Sequence, residues 1–213
     1  MIVRDYPGLS EMKVFEIFKS LQGEGAFQGT AAVFVRFAGC NLNCKWCDTP
    51  ESRHGGIEMS HEEICGKIAE LGCANICVTG GEPLIHLKAL VPLLKRLYDD
   101  GYYVEIETNG TIDPSECFPY AAICMDVKCP SSGEHSDLSI LAKLRPRDMV
   151  KFVVGDMTDL KYAQSIIESY DTAARLFITP VWGSDCHAIA EYILENRIPV
   201  TFQVQLHKVI DVK

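Results

Sequence analysis

From residue 60 onward, apolar strand-like segments alternate with helix-like segments, and this alternation limits the possible folds more than any other feature. The motif Ser60-His61-Glu62-Glu63 is typical of a capped helix start, Gly72 is typical of its end, and an apolar strand is predicted over 75–79. Strands that alternate with helices need right-handed crossovers, so they pair in a parallel sheet. We predict about six or seven such strands, fewer than the eight of a closed barrel, and therefore an open, partial (βα)6-type α/β barrel.

The remaining segments show the same two periodicities. Strands are predicted over 13–18, 31–38, 102–107, 121–127, 149–154, 175–179 and 200–205. Helices are predicted over 87–100, 137–144, 156–170 and 184–196. The first strand and the loop after it form a short N-terminal extension to the barrel.

Length and charge limit the kinds of partner. The chain has 213 residues and a net charge of −9, without a Pro/Gly/Ser-rich linker, so we predict one domain spanning 1–213. The acidic charge disfavours nucleic acid, whose binding depends on Lys and Arg, and favours a small-molecule partner. No apolar run approaches the roughly 18 residues of a membrane span, and residues 1–7 lack a signal-peptide pattern, so we expect a cytoplasmic protein.

Three of the ten cysteines, Cys40, Cys44 and Cys47, lie in one short loop directly after a predicted strand. Four thiolates complete a zinc or electron-transfer site, whereas three thiolates on a four-iron cluster leave one iron open to another ligand. A zinc site completed by His54 or Asp48 is the alternative. We expect the other seven cysteines to be small buried apolar residues, without disulfides.

Polar segments follow five of the predicted strands at their carboxyl ends. Functional groups of parallel α/β sheets gather at this edge, so these segments are candidates for one shared site. They are the Cys40 loop, Thr79-Gly80-Gly81-Glu82-Pro83, Glu107-Thr108-Asn109-Gly110, Asp126-Val127-Lys128 and Thr179-Pro180-Val181-Trp182-Gly183. A turn is the ordinary explanation for one glycine after one strand, but five such segments together favour a binding site.

The Cys-x3-Cys-x2-Cys loop and the Thr-Gly-Gly-Glu-Pro segment resemble the radical S-adenosylmethionine superfamily. The resemblance implies that the three cysteines hold a 4Fe-4S cluster, whose open iron S-adenosylmethionine chelates. It also implies that Gly81 and Glu82 bind the methionine amino group and that Trp46 packs near the adenine. The other implied cofactor-binding residues are Asn109, Asp126, Val127, Lys128, Thr179, Pro180, Val181 and Trp182.

Further motifs, spread over nearly the whole chain, resemble the 7-carboxy-7-deazaguanine synthase family. They are Ser20-Leu21-Gln22-Gly23-Glu24-Gly25, Phe34-Val35-Arg36, Cys47-Asp48-Thr49, Glu107-Thr108-Asn109-Gly110, Asp126-Val127-Lys128, Pro130-Ser131-Ser132-Gly133 and Gln205-Leu206-His207-Lys208. The resemblance implies a carbon-nitrogen lyase of queuosine biosynthesis that converts 6-carboxy-5,6,7,8-tetrahydropterin to 7-carboxy-7-deazaguanine and ammonia. It further implies that the 5'-deoxyadenosyl radical takes a hydrogen from the substrate and later returns it, so that the cofactor is regenerated.

The same resemblance implies that substrate contacts Leu21, Gln22, Gly23, Glu24, Arg36, Thr79 and His207. Arg36 could hold the substrate carboxylate with its planar guanidinium; pairing with a surface acid is its alternative. Thr49 is implied as a ligand of a Mg²⁺ ion that also touches the substrate carboxylate. Capping of a turn before Pro50 explains Thr49 equally well.

The resemblance also implies a homodimer and an electron donor such as flavodoxin or ferredoxin. Two other functions fit part of the sequence. A glycyl-radical-enzyme activating enzyme would share the cysteine loop but would need neither the Gln22 loop nor Arg36. A non-catalytic iron-sulfur or zinc-binding protein would leave the Thr-Gly-Gly-Glu-Pro segment unexplained.

Overall fold

A computed structural model describes residues 11–213, so the prediction about residues 1–7 lies outside the described part. The strands are β1 (Met12–Leu21), β2 (Ala31–Phe37), β3 (Ile57–Met59), β4 (Asn75–Gly80), β5 (Tyr103–Thr108), β6 (Ala122–Val127), β7 (Met149–Val154), β8 (Arg175–Pro180) and β9 (Thr201–Phe202). The α-helices are α1 (His61–Leu71), α2 (Leu87–Asp99), α3 (Met157–Ser169), α4 (Cys186–Glu195) and α5 (Leu206–Val209).

One sheet contains all nine strands of the described residues, in the order β3-β1-β2-β4-β5-β6-β7-β8-β9. Seven strands, β2 and β4 to β9, are parallel neighbours, whereas β1 pairs antiparallel with β2 and β3. The two edge strands, β3 and β9, do not pair with each other, so the sheet remains open. The prediction of an open, mainly parallel α/β barrel is confirmed. Among the described residues, no helix combines the length and apolar character needed to cross a bilayer.

Alternation along the inner strands separates the core from the interior of the barrel. In β7, Val150 and Phe152 pack into the main hydrophobic core with the helices, while Lys151 between them points to the opposite face and lines a cavity. In β5, Ile106 likewise belongs to the core and Glu107 lines the cavity. The outer face therefore supplies the apolar packing, and the inner face is free to carry polar groups.

A loop at 22–30 and the residues after β9 close the side of the barrel that the sheet leaves open. The backbone N–H of Gly25 donates to Gln203 Oε1 at 2.9 Å, and Gln203 Nε2 donates to the Gly25 carbonyl at 2.7 Å. Gln205 Nε2 donates to Glu24 Oε1 at 2.9 Å. The predicted strand 200–205 is wrong beyond Phe202. Gln203 N still donates to the Ile178 carbonyl of β8 at 2.9 Å, but the side chains of Gln203 and Gln205 and the backbone N–H of Leu206 then bond to this loop.

Several other local predictions differ from the structure. The segment predicted as a helix over 137–144 forms a 3-10 helix, Leu138–Lys143, whose start is capped by the Asp137 carboxylate. The short elements β3 and α5 were not predicted from the sequence, because three or four residues carry too little periodicity. Cys186 is exposed at the start of α4, and Cys65 and Cys73 are half-buried, so burial of all seven outer cysteines was wrong. All ten cysteines are free thiols.

Asp148, which is completely buried before β7, should make a large contribution to stability. Its Oδ1 accepts from Ile123 N at 2.9 Å and Arg145 Nη2 at 2.7 Å, and its Oδ2 accepts from Arg145 N and Nε at 2.7 and 2.8 Å. Truncation leaves several donors unpaired, so we expect Asp148→Ala to lower the free energy of unfolding by about 3 kcal/mol in urea titrations.

The matched control is Lys143→Ala, which breaks an ion pair with Asp113 in which both side chains are 46% exposed. Solvent screens such a pair, so the urea midpoint should stay at its wild-type value. Equal midpoints for Asp148→Ala and wild type would contradict the stabilising role of Asp148.

Candidate active site

A cavity of about 460 Å³ lies at the carboxyl ends of the parallel strands. The predicted site residues that line it are Leu21, Gln22, Gly23, Glu24, Arg36, Cys40, Cys44, Trp46, Cys47, Thr79, Gly81, Asn109, Asp126, Lys128, Val181, Trp182 and His207. The predicted residues outside its lining are Thr49, Glu82, Val127, Thr179 and Pro180. The structure thus brings most of the residues together around one space.

The cysteine loop forms one wall of this cavity, directly after β2. Cys40, Cys44 and Cys47 are half-buried, and all three line the cavity. Burial raises the pKa of the Cys40 and Cys44 thiols above the usual range, while the nearby Lys128 ammonium acts in the opposite direction. Three free thiols that converge on an open cavity, with a cation beside them, fit the binding of an iron-sulfur cluster by three thiolates.

Hydrogen bonds to the segment after β6 hold this loop in place. Trp46 Nε1 donates to Ser131 Oγ at 2.8 Å, and Lys45 N donates to the Ser132 carbonyl at 2.9 Å. The Lys128 ammonium lies 5.6 Å from the centre of the Trp46 ring, within the range of a cation–π contact. The sequence motif that contains Asp126 and Lys128 is therefore joined to the cysteine loop in space.

Gly81 permits a very close approach between the end of β4 and the cysteine loop. A Cβ atom at this position would lie 2.0 Å from the Gly39 carbonyl oxygen and 2.8 Å from Cys40 Cβ. The following residue, Glu82, donates its backbone N–H to the same carbonyl at 2.8 Å. Glycine is needed here for space, and it leaves room beside Cys40.

The Glu82 side chain is fully buried and does not line the cavity. Its Oε1 accepts from Leu84 N at 2.9 Å and Thr108 Oγ1 at 2.8 Å, and its Oε2 accepts from Asn109 N at 2.7 Å. Burial raises the pKa of this carboxyl, although the three hydrogen bonds oppose the shift. In this structure Glu82 fixes the turn that presents Asn109 to the cavity; its contact with a cofactor amino group stays a prediction.

The side-chain amide of Gln22 is hydrogen-bonded to other residues of the protein. Its Nε2 donates to Glu105 Oε1 at 2.9 Å and to Cys77 Sγ at 3.5 Å, and its Oε1 accepts from Gly23 N at 3.0 Å. Burial raises the pKa of Glu105 to about 8. Gln22 therefore fixes the shape of the loop, so a substrate in the cavity would meet the loop rather than a free amide.

Cys77, Glu105 and Glu107 each offer a ligand atom within 4.8 Å of the others, which is close enough for a metal ion. Two side chains of the protein already interact with these ligand atoms. Gln22 donates to Cys77 and Glu105, and the Lys151 ammonium lies 3.0 Å from Glu107 Oε2. We therefore interpret Cys77 and Glu107 as part of the floor of the cavity, with Glu105 buried and outside its lining.

Arg36 extends from β2 toward the cavity mouth, where its Nε donates to Glu16 Oε1 at 3.0 Å. Among the described residues, Glu16 is the one carboxylate that pairs with it, so its terminal N–H groups remain available to an anion. Lys208 and Lys213 line the same mouth. The ion pair that was the alternative for Arg36 is present, yet it occupies only one edge of the guanidinium.

Thr49 lies just outside the cavity, next to Asp48, which lines it. Its Oγ1 donates to Asp48 Oδ1 at 3.2 Å, and its carbonyl accepts from Ser52 Oγ at 2.8 Å in the turn that follows Pro50. Thr49 stands at the start of the 3-10 helix Pro50–Arg53, but its side chain makes no capping hydrogen bond there, so only its backbone carbonyl serves the turn. An oxygen ligand for Mg²⁺ at this place stays a prediction.

Directly after β8, Val181 and Trp182 line the cavity wall. Trp182 is 60% exposed, so an aromatic face remains open to a flat ligand such as adenine. Thr179 is buried with an Oγ1 that has no hydrogen-bond partner, and Val127 and Pro180 are buried beside the cavity. None of these three lines the cavity, so their contact with a cofactor stays a prediction.

Comparison with known proteins agrees with this geometry. The sequence profile of the radical SAM superfamily matches residues 34–120. The 7-carboxy-7-deazaguanine synthase of Methanospirillum hungatei JF-1 is 47% identical over 201 residues, which cover 94% of this chain and 86% of that protein. The 7-carboxy-7-deazaguanine synthase of Bacteroides thetaiotaomicron is 41% identical over 94% of this chain and 98% of its own.

The chain belongs to the 7-carboxy-7-deazaguanine synthase family. The fold agrees, since the crystal structure of QueE from Escherichia coli superimposes with a TM-score of 0.78 and 25% identity, over 92% of this chain and 95% of that chain. The predicted family, open barrel and enzyme class are confirmed. As a radical SAM lyase of the queuosine pathway, a 7-carboxy-7-deazaguanine synthase uses a 4Fe-4S cluster and S-adenosylmethionine, acts on a small molecule and needs a reductant.

Proposed function

We propose that this enzyme converts 6-carboxy-5,6,7,8-tetrahydropterin to 7-carboxy-7-deazaguanine and ammonia, with assistance from Mg²⁺. The observation that carries the proposal is the single cavity that joins the three-cysteine wall to the Arg36 mouth. A substrate with a carboxylate at one end can lie with that group at Arg36 and its reacting carbon toward the cysteine wall. When bound, the cluster and S-adenosylmethionine supply the carbon radical that takes a hydrogen atom from the substrate and returns it.

The residues divide between the two ligands. Cys40, Cys44 and Cys47 hold the cluster, and the cofactor lies against the wall formed by Trp46, Gly81, Asn109, Asp126, Lys128, Val181 and Trp182. These side chains combine polar partners for the amino acid part with aromatic surface for the adenine. The chain's task is to hold both ligands in one orientation and to keep water away from the reacting carbon.

On the substrate side, Arg36 binds the carboxylate with its unpaired N–H groups. Mg²⁺ would be held by Thr49 and by the same substrate carboxylate, with water completing its shell. The 22–30 loop and His207 border the ring, where Gly23 leaves so little space that a Cβ atom would lie 2.0 Å from His207 Nδ1. Ring contraction leaves one amino nitrogen outside the new ring, and this nitrogen departs as ammonia.

The test is an anaerobic incubation of the reconstituted enzyme with the carboxytetrahydropterin, S-adenosylmethionine, dithionite and Mg²⁺. We expect 7-carboxy-7-deazaguanine by mass spectrometry, one ammonia for each product, and many turnovers for each cofactor consumed. Chelation of Mg²⁺ by EDTA should slow product formation. A parallel reaction with a glycine-containing peptide tests the glycyl-radical alternative, and product only from that reaction would refute the proposal.

Two partners complete the proposal. An electron donor such as flavodoxin or ferredoxin would reduce the cluster, and dithionite replaces it in the assay. We further propose a homodimer, which light scattering of the reconstituted enzyme would test.

A further inference from the structure

Resting on the function proposed above, we propose that Lys151 is a positioning residue that couples the substrate side of the cavity to its cofactor side. Lys151 lies in the middle of β7, and its side chain is 6% exposed. It stands between two core residues of the same strand, Val150 and Phe152, but points to the inner face. Neither the strand pattern nor the family motifs singled it out.

The Lys151 ammonium contacts three carboxylates that come from three different parts of the chain. It pairs with Glu24 in the 22–30 loop. It lies 3.0 Å from Glu107 Oε2, at the end of β5, and 3.2 Å from Asp126 Oδ1, on the neighbouring strand β6. A single cation therefore connects the loop to two strand ends.

Toward the substrate, the connection continues through Glu24. The second oxygen of this carboxylate accepts from Gln205 Nε2 at 2.9 Å. Gln205 also forms part of the cavity lining, two residues before His207. A shift of Lys151 would therefore move both segments that border the proposed substrate ring.

Toward the cofactor, the connection continues through Asp126. Its Oδ2 pairs with Lys128 Nζ at 3.0 Å, and Lys128 in turn lies over the Trp46 ring at 5.6 Å. Trp46 stands between the second and third cluster cysteines. Ion pairs thus extend from the substrate loop to Lys128, and a cation–π contact with Trp46 continues them to the cysteine wall.

The burial of this set argues for a role in function rather than in stability. Taking several charges out of water costs more free energy than packing apolar residues of similar size, so a core built for stability alone does not need them. Buried charge networks of this kind, in a cleft, are typical of functional sites. Because contacts alone do not demonstrate coupling, the test must measure it directly.

The experiment measures S-adenosylmethionine affinity from the change in the cluster's electron paramagnetic resonance spectrum, with and without the carboxytetrahydropterin. In the wild type, we expect the substrate to tighten cofactor binding by about fivefold or more. In Lys151→Met, which keeps an unbranched side chain only one atom shorter but removes the charge, we expect this factor to fall to about one, while iron and sulfide content stay unchanged. Steady-state kinetics should show a raised KM for the substrate together with a lowered kcat.

A second variant, Glu24→Gln, carries the test if Lys151→Met does not fold. It keeps an acceptor for Gln205 but loses the ion pair, so the coupling factor should again fall. Lys151→Arg keeps the charge and should retain part of the coupling. The control is Lys143→Met, whose exposed ion pair lies outside the cavity and whose loss should leave the factor at the wild-type value.

Wild-type coupling and KM values in Lys151→Met or Glu24→Gln would overturn the assignment of Lys151. Absence of any coupling in the wild type would overturn it as well. Because binding is read from the cluster spectrum, a wild type that binds both ligands without forming the deazapurine refutes the proposed reaction but not the coupling. The two failures are thus distinguishable.

Discussion

Replacement of Cys44 with Ala should leave an enzyme that neither assembles a stable cluster nor forms product. The reason lies in the ligand count. Only Cys40, Cys44 and Cys47 among the ten cysteines line the wall near Lys128 and Trp46, and the cavity lining offers no further free thiol except the buried Cys77 on the floor. Two thiolates do not hold a four-iron cluster, so loss of one is expected to remove it entirely.

Iron and sulfide analysis after anaerobic reconstitution, with the absorbance of the cluster, gives the measurement. Cys186→Ala is the matched control, because Cys186 is exposed at the start of α4 and does not line the cavity. Its cluster content and turnover should equal those of the wild type. A full cluster in Cys44→Ala would show that the cysteine wall is not the cluster site, and a zinc content instead of iron would favour the zinc alternative.

Gly81→Ala should produce the second largest effect. The added Cβ atom would meet a backbone oxygen, that of Gly39, at 2.0 Å, and backbone cannot rotate away as a flexible side chain does. The end of β4 and the cysteine loop must therefore separate. We expect S-adenosylmethionine to bind at least about tenfold more weakly, a change that needs only about 1.4 kcal/mol.

The measurement is cofactor titration of the reduced cluster, followed by its spectrum. Gly66→Ala serves as the control, since Gly66 lies within α1 and a Cβ atom there meets nothing within 4 Å. That substitution should leave cofactor binding unchanged and stabilise the helix by up to about 1 kcal/mol. Equal cofactor affinity in Gly81→Ala and Gly66→Ala would contradict the close approach at Gly81.

The sequence predicted the strands and helices well where the alternation of apolar and polar residues extended over many positions. The capped helix at Ser60 is an example, since Ser60 Oγ accepts from Glu63 N and the Glu63 carboxylate accepts from Ser60 N, as the motif indicates. The failures fall where tertiary contacts decide. After Gln203 the chain leaves the sheet and bonds to the 22–30 loop, and no local pattern encodes a partner so distant in sequence.

For the site, the sequence indicated which residues lie close together around the cavity, but not which hydrogen bonds each side chain makes. The motifs placed Gln22 and Glu82 in the site, yet the structure shows both side chains hydrogen-bonded within the protein. Lys151 and Glu105 were missed, although each interrupts an apolar strand with a charge, at an inner-face position. Such a charge inside a buried parallel strand is the signal that could have identified them.

The hydrogen bonds between Gly25 and Gln203 join residues 178 positions apart, and this separation has a consequence for the order in which the protein folds. Contacts between such distant residues form slowly, since a long loop must close first. During synthesis, the 22–30 loop would emerge on the order of ten seconds before its partner segment, at typical rates of elongation. The cavity can therefore acquire its final shape only after almost all of the chain has been made.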